Sequence, residues 1–405
     1  MSTRMDPELD RRGFLQTGAV ATASALAMAT GSQAAPESAK RPMIPRRPLG
    51  KTGVDVTILN LGTWLSPGVD RLLRFAYASG VRYFDTSDCY GSEPAIARWL
   101  QAMPEVRKEI FLATKDHPKS PRELIPMLDR RLAALQTDYV DLFFIHGIGP
   151  DEYGRESLEW PKSKELKETI ETIKKSGKAR FVGFSCHDVR RAEYLQAAAD
   201  GGFIDAIMLQ FTAWLPKDTA LDRALDACHK RGIGLISMKQ VAGQDKILDT
   251  VPQRVPSLKE KGLSPYQGLL HAIWSDERIS SCCVSMRNTD QIRENSLAAR
   301  NFEPMNQAQI NELRDACLAA GPTFCADCDG RCARAAGTNA SLGDLTRLLT
   351  YHDHYGYRGE ARRLYSKLSE ADKNWVGADL EAAQGACPNH LHFASLLPKV
   401  DRHLA

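Results

Sequence analysis

The chain has 405 residues, of which 43% are hydrophobic and 25% charged, and its formal net charge is +3. These values are typical of a soluble globular protein long enough for one large domain and a smaller one. The weak net charge and the lack of a basic stripe with interleaved aromatic residues argue against nucleic-acid binding, so no nucleic-acid partner is expected.

The first recognisable segment is an export signal. Residues 10–20 read DRRGFLQTGAV, an apolar run extends to about residue 31, and small residues follow at 32–35. The run is too short to span a bilayer stably. Arg-Arg-x-Phe-Leu, beginning at Arg11, resembles the twin-arginine signal. We expect residues 1–35 to be a signal peptide, the mature protein to be periplasmic without a stable membrane span, and export to occur after folding.

Residues 36–300 are predicted to form a (β/α)₈ barrel. Eight short apolar runs alternate with longer amphipathic stretches such as 120–135 and 163–177. Unbroken apolar strands are expected where both faces of a parallel sheet are covered. The predicted strands are 57–62, 81–86, 110–115, 139–146, 179–185, 206–211, 234–238 and 281–285. A doubly wound open sheet is disfavoured because LNLGTWLSPG, after the first strand, is not a glycine-rich nucleotide fingerprint.

Polar residues follow several of these strands in a pattern that indicates catalysis. Asp85, Lys115 and His146 close strands two, three and four, and Tyr90 lies in the loop after strand two. Barrel enzymes place reactive groups at these carboxyl ends. Taken singly, each could be a turn residue, a solvated charge or a core histidine, but the four together predict an active site.

The sequence around these residues resembles the aldo-keto reductase family from about Arg47 to Ala299. The matching stretches are RPLGKTGVDVTILNLGT, FDTSDCYGSE, FLATK, YVDLFFIH, KARFVGFS and TDQIRENSLA. The resemblance implies that Tyr90 protonates the nascent alkoxide, that His146 orients the substrate oxygen, and that Asp85 holds Lys115. A nearby ammonium favours phenolate, so we expect Lys115 to lower the pKa of Tyr90.

The same resemblance implies a nicotinamide cofactor. Ser185 and Gln210 match positions that hold the carboxamide, and Arg287 favours NADP(H) through a 2′-phosphate contact, although a solvent-facing arginine is an equal alternative. The predicted cofactor-binding residues are Gly62, Thr63, Ser185, Gln210, Met238, Met286, Arg287, Gln291, Glu294 and Asn295. Two positions depart from the family: Cys186 replaces an asparagine, and Met238 replaces a tyrosine that commonly stacks on the nicotinamide.

Residues 301–405 are predicted to form a helical module that carries a metal-ligand set. Cys325, Cys328, Cys332 and Cys387, the last followed by proline, resemble a ferredoxin-type 4Fe–4S set, and a subgroup of aldo-keto reductases carries such a module. Gly377, Leu380 and Ala383 stand where the other cysteines of a second set would be, so one cluster is the maximum. Zinc bound by the same thiolates, or disulfides such as Cys328–Cys332, are the alternatives.

These features predict an exported oxidoreductase that transfers hydride between NADP(H) and a small aldehyde or ketone. Its pocket is expected to include Trp64 and Trp214. Free nicotinamide nucleotide is not expected outside the inner membrane. The nucleotide would therefore travel tightly bound, or the cluster would exchange electrons with a partner, or the barrel would no longer turn over. The alternative is a non-catalytic nucleotide- or redox-sensing protein, which Met238 and Cys186 slightly favour and the intact tetrad disfavours.

Overall fold

The strands form a closed barrel preceded by a small hairpin. The computed structural model describes residues 43–188, 190–240, 255–319, 325, 328–354 and 356–405, so the predicted signal peptide lies outside the described residues. The strands are β1 (Arg46–Pro48), β2 (Asp55–Thr57), β3 (Leu59–Gly62), β4 (Tyr83–Asp85), β5 (Phe111–Asp116), β6 (Val140–Ile145), β7 (Ala179–Cys186), β8 (Ala206–Gln210), β9 (Gly234–Met238) and β10 (Ile279–Ser285). Strands β3 to β10 pair in parallel and in chain order, and β10 closes against β3. The predicted (β/α)₈ barrel is confirmed.

Each predicted strand coincides with a barrel strand. Prediction and structure differ most at the first predicted strand. The predicted run 57–62 divides at Ile58, because β2 pairs antiparallel with β1 while β3 enters the barrel. The hairpin covers the amino-terminal end of the barrel: Leu49 is buried, and the Lys51 N–H donates to the Gly232 carbonyl at 2.7 Å. Strands of three residues are too short to reveal themselves by periodicity.

The barrel has apolar contacts on both faces of its sheet. Every residue of β5 and β6 is buried. Tyr83, Phe111, Leu142, Phe144 and Ile236 belong to the cluster that fills the interior. A larger cluster lies between strands and helices, which explains why the strand sequences are continuously apolar.

The helices around the barrel follow the strands. They are α1 (Val69–Ala78), α2 (Glu93–Ala102), α3 (Val106–Glu109), α4 (Leu124–Leu135), α5 (Pro150–Tyr153), α6 (Lys164–Lys175), α7 (Arg191–Gly201), α8 (Ala220–Lys230), α9 (Pro256–Lys261), α10 (Pro265–Trp274) and α11 (Thr289–Arg300). Predicted helix 163–177 is α6, which begins at Ser163 because that hydroxyl accepts from the Leu166 N–H at 3.2 Å.

The secondary-structure elements in the described residues of the carboxy-terminal region are all helices, as predicted. Its helices are α12 (Gln307–Ala319), α13 (Arg331–Ala335), α14 (Leu342–Asp353), α15 (Arg358–Lys367), α16 (Glu370–Lys373), α17 (Leu380–Ala386) and α18 (Phe393–Leu404). Helix α14 contacts the barrel directly, since Arg347 donates to the His187 carbonyl at 3.0 Å. None of the helices in the described residues is long and apolar enough to cross a bilayer. The domain boundaries at 35 and 300 stay predictions.

Candidate active site

The barrel brings the four predicted catalytic residues together at one end. Asp85 is the last residue of β4, Lys115 lies near the end of β5, His146 directly follows β6, and Tyr90 ends a short 3₁₀ helix after β4. All parallel strands point the same way, so their carboxyl ends share one rim. The sequence-predicted tetrad therefore forms a single cluster.

The floor of this cluster is a buried ion pair. The Lys115 ammonium donates to Asp85 and to the Thr86 carbonyl, the latter at 2.8 Å. Both side chains are almost fully buried. Burial raises the pKa of Asp85, and the ammonium opposes that rise. A charged pair removed from water in this way persists only because each ion is the other's partner.

Above the pair, the Tyr90 hydroxyl faces His146. The hydroxyl oxygen lies 3.3 Å from His146 Nε2, and the two rings meet edge to face at 5.5 Å between centroids. The Lys115 ammonium lies 4.9 Å from the centroid of the Tyr90 ring. The ammonium thus contacts the face of the phenol ring.

The expectation that Lys115 lowers the pKa of Tyr90 is wrong for this structure. Burial raises the pKa of Tyr90 well above its ordinary value, and the negative charge of Asp85 adds to the rise. The ammonium is paired with Asp85, whose charge offsets it, so desolvation of the phenolate dominates. Tyr90 is consequently a neutral phenol that keeps its proton at physiological pH.

A hydrogen-bonded chain that sequence reasoning missed supports His146. The Ser87 hydroxyl donates to Asp88 Oδ1 at 2.6 Å, and its oxygen lies 2.8 Å from His146 Nδ1. A hydroxyl has one hydrogen, so Ser87 must accept from His146 Nδ1–H. This assigns the tautomer: Nε2 carries a lone pair and accepts from Tyr90. Burial lowers the pKa of His146 to about 4, in keeping with a neutral imidazole.

Asp88 extends this chain to a second histidine. Its Oδ2 lies 3.4 Å from His117 Nδ1, and the rings of His117 and His146 are 4.5 Å apart. Despite partial burial, hydrogen bonds to His117, His146 and Ser87 hold the pKa of Asp88 below its usual range. The same contact raises the pKa of His117 against the effect of burial. His117 follows β5, and its position after a strand end was the signal available in the sequence.

The predicted carboxamide-binding residues also lie on the rim. Ser185, near the end of β7, is buried and accepts from the Gly147 N–H at 2.8 Å. Gln210 ends β8 and accepts a hydrogen bond at 2.8 Å from Tyr351 of α14. Thr63 is buried and donates to the Asp85 carbonyl at 3.0 Å. A Cβ added at Gly62 would come 3.0 Å from the Cys283 sulfur and 3.2 Å from the Ser285 hydroxyl oxygen, so a side chain there would be tightly packed.

The predicted adenosine-binding residues cluster at the start of α11. Asn288 caps that helix by accepting from the Gln291 N–H, and the Gln291 side chain in turn accepts from the Arg287 N–H at 2.7 Å. Glu294 accepts from the Ser264 hydroxyl, and Met286 and Asn295 are buried. Among the described residues, the buried Arg287 Nε has no hydrogen-bond partner. This segment thus offers a helix amino terminus and a guanidinium nitrogen to an anion.

The two departures from the family pattern are accommodated differently. Cys186 is fully buried and its thiol donates to the Ile148 carbonyl at 3.2 Å, so it belongs to the barrel wall. Met238 pairs with Gln210 across β8 and β9 and is half-buried. Two tyrosines of the carboxy-terminal region lie nearby, as the contacts of Lys239 demonstrate: its ammonium is 5.2 Å from the Tyr351 ring and 5.8 Å from the Tyr357 ring.

A cavity of about 720 Å³ opens beside His146. Its barrel wall includes His117, His146 and His187, and its opposite wall belongs to α14 and α15. The charged residues around it are Glu152, Arg155, Asp188, Arg190, Asp344, Arg347, Glu360, Arg363 and Asp372. Neither expected tryptophan lines this cavity: Trp64 packs edge-on against Tyr357 at 4.8 Å, and Trp214 is buried.

The predicted cysteine set converges in the carboxy-terminal region. Cys325, Cys328 and Cys332 line a second cavity, of about 410 Å³. Burial raises the pKa of Cys332 to about 11, and the neighbouring thiols of Cys328 and Cys387 add to the rise. All four are free thiols, so the Cys328–Cys332 disulfide does not form in this structure. Among the described residues, the groups whose ligating atoms lie within 4.8 Å of one another do not include these cysteines.

The fold and the rim define a class of protein: a (β/α)₈ enzyme with an acid–base cluster at the strand ends. The sequence profile of the aldo/keto reductase family matches residues 62–317. The chain therefore belongs to the aldo/keto reductase family and is an NAD(P)-dependent oxidoreductase. The matched segment ends before Cys325, so the cysteine set lies outside it.

Characterised relatives cover most of the same region. L-galactose dehydrogenase of Arabidopsis thaliana is 26% identical over 67% of this chain and 93% of its own length. Aldo-keto reductase family 1 member A1 of Pongo abelii is 26% identical, over 65% and 87%. Glycerol 2-dehydrogenase (NADP(+)) of Saccharomyces cerevisiae is 25% identical, over 63% and 88%.

Asp88→Asn should weaken the protein within a defined pH window. The raised pKa of His117 contributes stability below about pH 6.5, and this contribution is lost as the pH rises through the pKa of His117 in the folded state. The lowered pKa of Asp88 contributes stability above about pH 3.9. Both groups are partly exposed, so we expect a loss of about 0.5–1 kcal/mol between these limits. Denaturant unfolding at about pH 5.5 and 8.5 measures it.

The matched control is Asp129→Asn, which breaks the exposed contact of Asp129 with Lys178 and involves no histidine. Its effect should not change across the same interval. An Asp88→Asn deficit that is equally large at both pH values would contradict the ionised Asp88–His117 pair.

Proposed function

We propose that the protein reduces a small, polar aldehyde or ketone with NADP(H), and that Tyr90 supplies the proton. The observation that carries this is the contact between a neutral Tyr90 hydroxyl and a neutral His146, above the buried Lys115–Asp85 pair. The nicotinamide supplies hydride chemistry when bound. The chain's own part is to bind the reactants, exclude water and move one proton.

The proton balance follows from the hydrogen bonds. The substrate carbon receives hydride and its oxygen receives the Tyr90 proton, which leaves a phenolate beside the Lys115 ammonium. The chain from Tyr90 through His146, Ser87 and Asp88 ends at His117, which lines the larger cavity. Every donor in this chain points from Tyr90 toward Asp88, so returning a proton to the phenolate would require the donors to reverse, with His146 carrying its proton on Nε2. To orient a carbonyl by donation, His146 would carry its proton on Nε2 instead of Nδ1.

Two observations support NADP(H) as the cofactor. The buried Arg287 Nε is unpartnered among the described residues, at the amino terminus of α11, where a phosphate is favoured. Arg287 would hold the 2′-phosphate, and Ser185 and Gln210 would hold the carboxamide. One relative is named glycerol 2-dehydrogenase (NADP(+)).

The lining of the larger cavity supports a polar substrate. Most of its side chains are charged or imidazole groups of both signs, and its apolar side chains are few. Such a wall offers charged donors and acceptors beside its apolar surface, and these groups could bind the hydroxyls of a hydroxylated carbonyl compound. Two of the relatives are named for dehydrogenation of a sugar and of glycerol.

We also propose that Cys325, Cys328, Cys332 and Cys387 hold one 4Fe–4S cluster that exchanges electrons with a partner. Three of the cysteines line one cavity and the fourth acts on two of them electrostatically. A tetrahedral zinc site has Zn–S bonds of about 2.3 Å and brings its sulfurs close together. Either group would need the four thiolates to gather around it, and the metal content of the protein distinguishes the two.

Finally, we propose that the protein is exported to the periplasm after folding. The support is the Arg11–Arg12 pair with its apolar run and the small residues at 32–35. Export of a folded chain suits cofactors that are loaded in the cytosol. The electron-transfer partner would then replace free nucleotide as the connection to other reactions.

Tyr90→Phe should lower kcat/KM for carbonyl reduction about 10²- to 10⁴-fold, since it removes the proton donor and keeps the ring. NADPH consumption with hydroxylated and apolar aldehydes measures it. Tyr139→Phe is the control, because Tyr139 lies just before β6 at the opposite end of the barrel. Equal rates for Tyr90→Phe and wild type would remove the role given to Tyr90.

Cys332→Ser should abolish the broad iron–sulfur absorbance near about 400 nm and the bound iron of anaerobically purified protein, because a thiolate ligand is lost. Cys317→Ser is the control, since Cys317 is equally buried but outside the set. Zinc without iron in the wild type would refute the cluster and favour the zinc site.

Replacing Arg11 and Arg12 together with lysine should retain the protein in the cytoplasm of a Gram-negative host, because the signal is read through its arginine pair. Fractionation and the mass of the amino terminus measure the outcome. Arg4→Lys, outside the pair, is the control. Undiminished periplasmic accumulation of the double variant would contradict twin-arginine export.

A further inference from the structure

Helix α14 connects the cysteine cavity to the rim of the barrel. Its first residues, Leu342 and Gly343, line the cysteine cavity, and its last turn carries Tyr351. Tyr351 is eight positions after Gly343, which corresponds to about 12 Å along a helix. The carboxy-terminal region thereby places side chains of its own beside the predicted nicotinamide-binding residues.

Tyr351 makes a directed hydrogen bond to Gln210. Its side chain is almost completely buried, and its hydroxyl donates to Gln210 Oε1 at 2.8 Å. Arg347, one turn earlier, lies 3.4 Å from the same hydroxyl. A guanidinium can only donate, so the Tyr351 oxygen accepts from Arg347 and its single hydrogen goes to Gln210.

This arrangement fixes the orientation of the Gln210 amide. An amide has a carbonyl acceptor at one end and two N–H donors at the other. With Oε1 held by Tyr351, the Nε2 donors remain for another acceptor at the rim. A nicotinamide carboxamide offers a carbonyl oxygen as such an acceptor.

The aromatic environment of the rim comes from the same helix and the turn after it. Met238 stands beside Gln210 in the sheet register and has no ring. Tyr351 and Tyr357 lie within 6 Å of the Lys239 ammonium, and Tyr357 packs against Trp64. The carboxy-terminal region therefore places two aromatic rings near Lys239, the residue that follows Met238.

We propose that Tyr351 is a positioning residue for the nicotinamide end of the cofactor, acting through Gln210, and that the carboxy-terminal region forms part of the nicotinamide site. This inference rests on the proposed use of NADP(H). It adds that a barrel without α14 would bind the adenosine end of the nucleotide normally and the nicotinamide end poorly.

The test uses calorimetric binding of two ligands to the full-length holoprotein: NADPH, and adenosine 2′,5′-bisphosphate, which lacks the nicotinamide. Tyr351→Phe removes one hydroxyl and keeps the ring. We expect its Kd for NADPH to rise about 3- to 10-fold, the value of one hydrogen bond, with no change for the bisphosphate. Tyr365→Phe, a buried tyrosine of α15, should bind both ligands as the wild type does.

A double-mutant cycle with Gln210→Ala tests the route of the effect. If Tyr351 acts through Gln210, Tyr351→Phe should cost nothing further in the Gln210→Ala background. Arg347→Met provides a second variant, since it removes the donor that directs the Tyr351 hydrogen and should give the same selective loss.

The outcomes separate the two proposals. If the wild type binds the bisphosphate but not NADPH, or neither ligand, the proposed cofactor fails and this inference fails with it. If the wild type binds NADPH and Tyr351→Phe binds it equally well or more tightly, the inference alone is overturned. Equal weakening for both ligands, or an undiminished effect in the Gln210→Ala background, also overturns it, because either result reports general destabilisation of the site.

Discussion

The buried ion pair between Lys115 and Asp85 is the constraint on which the active site depends. Removing two charges from water is costly, and the cost is offset only while the ammonium stays on the carboxylate and on the Thr86 carbonyl. The pair locks the ends of β4 and β5 to each other. Tyr90 and His146 lie above this ion pair, so the pair helps to hold the contact between them in place.

The electrostatics of the rim differ from a simple picture in which a lysine acidifies a tyrosine. Lys115 is neutralised by Asp85, and burial makes Tyr90 a weaker acid than in water. The site offers a proton that Tyr90 retains. A chain of hydrogen bonds runs from the Tyr90 hydroxyl through His146 and Ser87 to Asp88. A phenolate formed there would lie beside an ammonium, so stabilisation would appear where the charge develops.

The carboxy-terminal region contributes to the rim as well as to the cysteine set. Arg347 and Tyr351 contact β7 and β8 residues or the loops after them, and α14 and α15 form one wall of the larger cavity. The family profile ends at residue 317, so this wall belongs to the part of the chain that the profile does not cover. One wall of the larger cavity is therefore formed by what this chain adds to the barrel.

Much of the barrel could be predicted from the sequence because its signals are local. Continuous apolar runs marked the eight strands, and parallel topology guaranteed that Asp85, Lys115 and His146 would meet at one rim. The short hairpin of β1 and β2 was not predicted, because a strand of three residues is too short to have a recognisable hydrophobic periodicity. The packing of Trp64 against Tyr357 joins residues almost three hundred positions apart, so no local pattern could have predicted it.

The sequence by itself determined the fold through its strand pattern, and its resemblance to the aldo-keto reductases implied the family and the tetrad at the strand ends. Only the tertiary structure decided the protonation of Tyr90, the tautomer of His146 and the bond from Tyr351 to Gln210. The physical reason is that desolvation and hydrogen-bond direction depend on which side chains surround a group. The Tyr351 hydroxyl reaches Gln210 across 141 positions of chain, a contact that packing creates and no local pattern encodes.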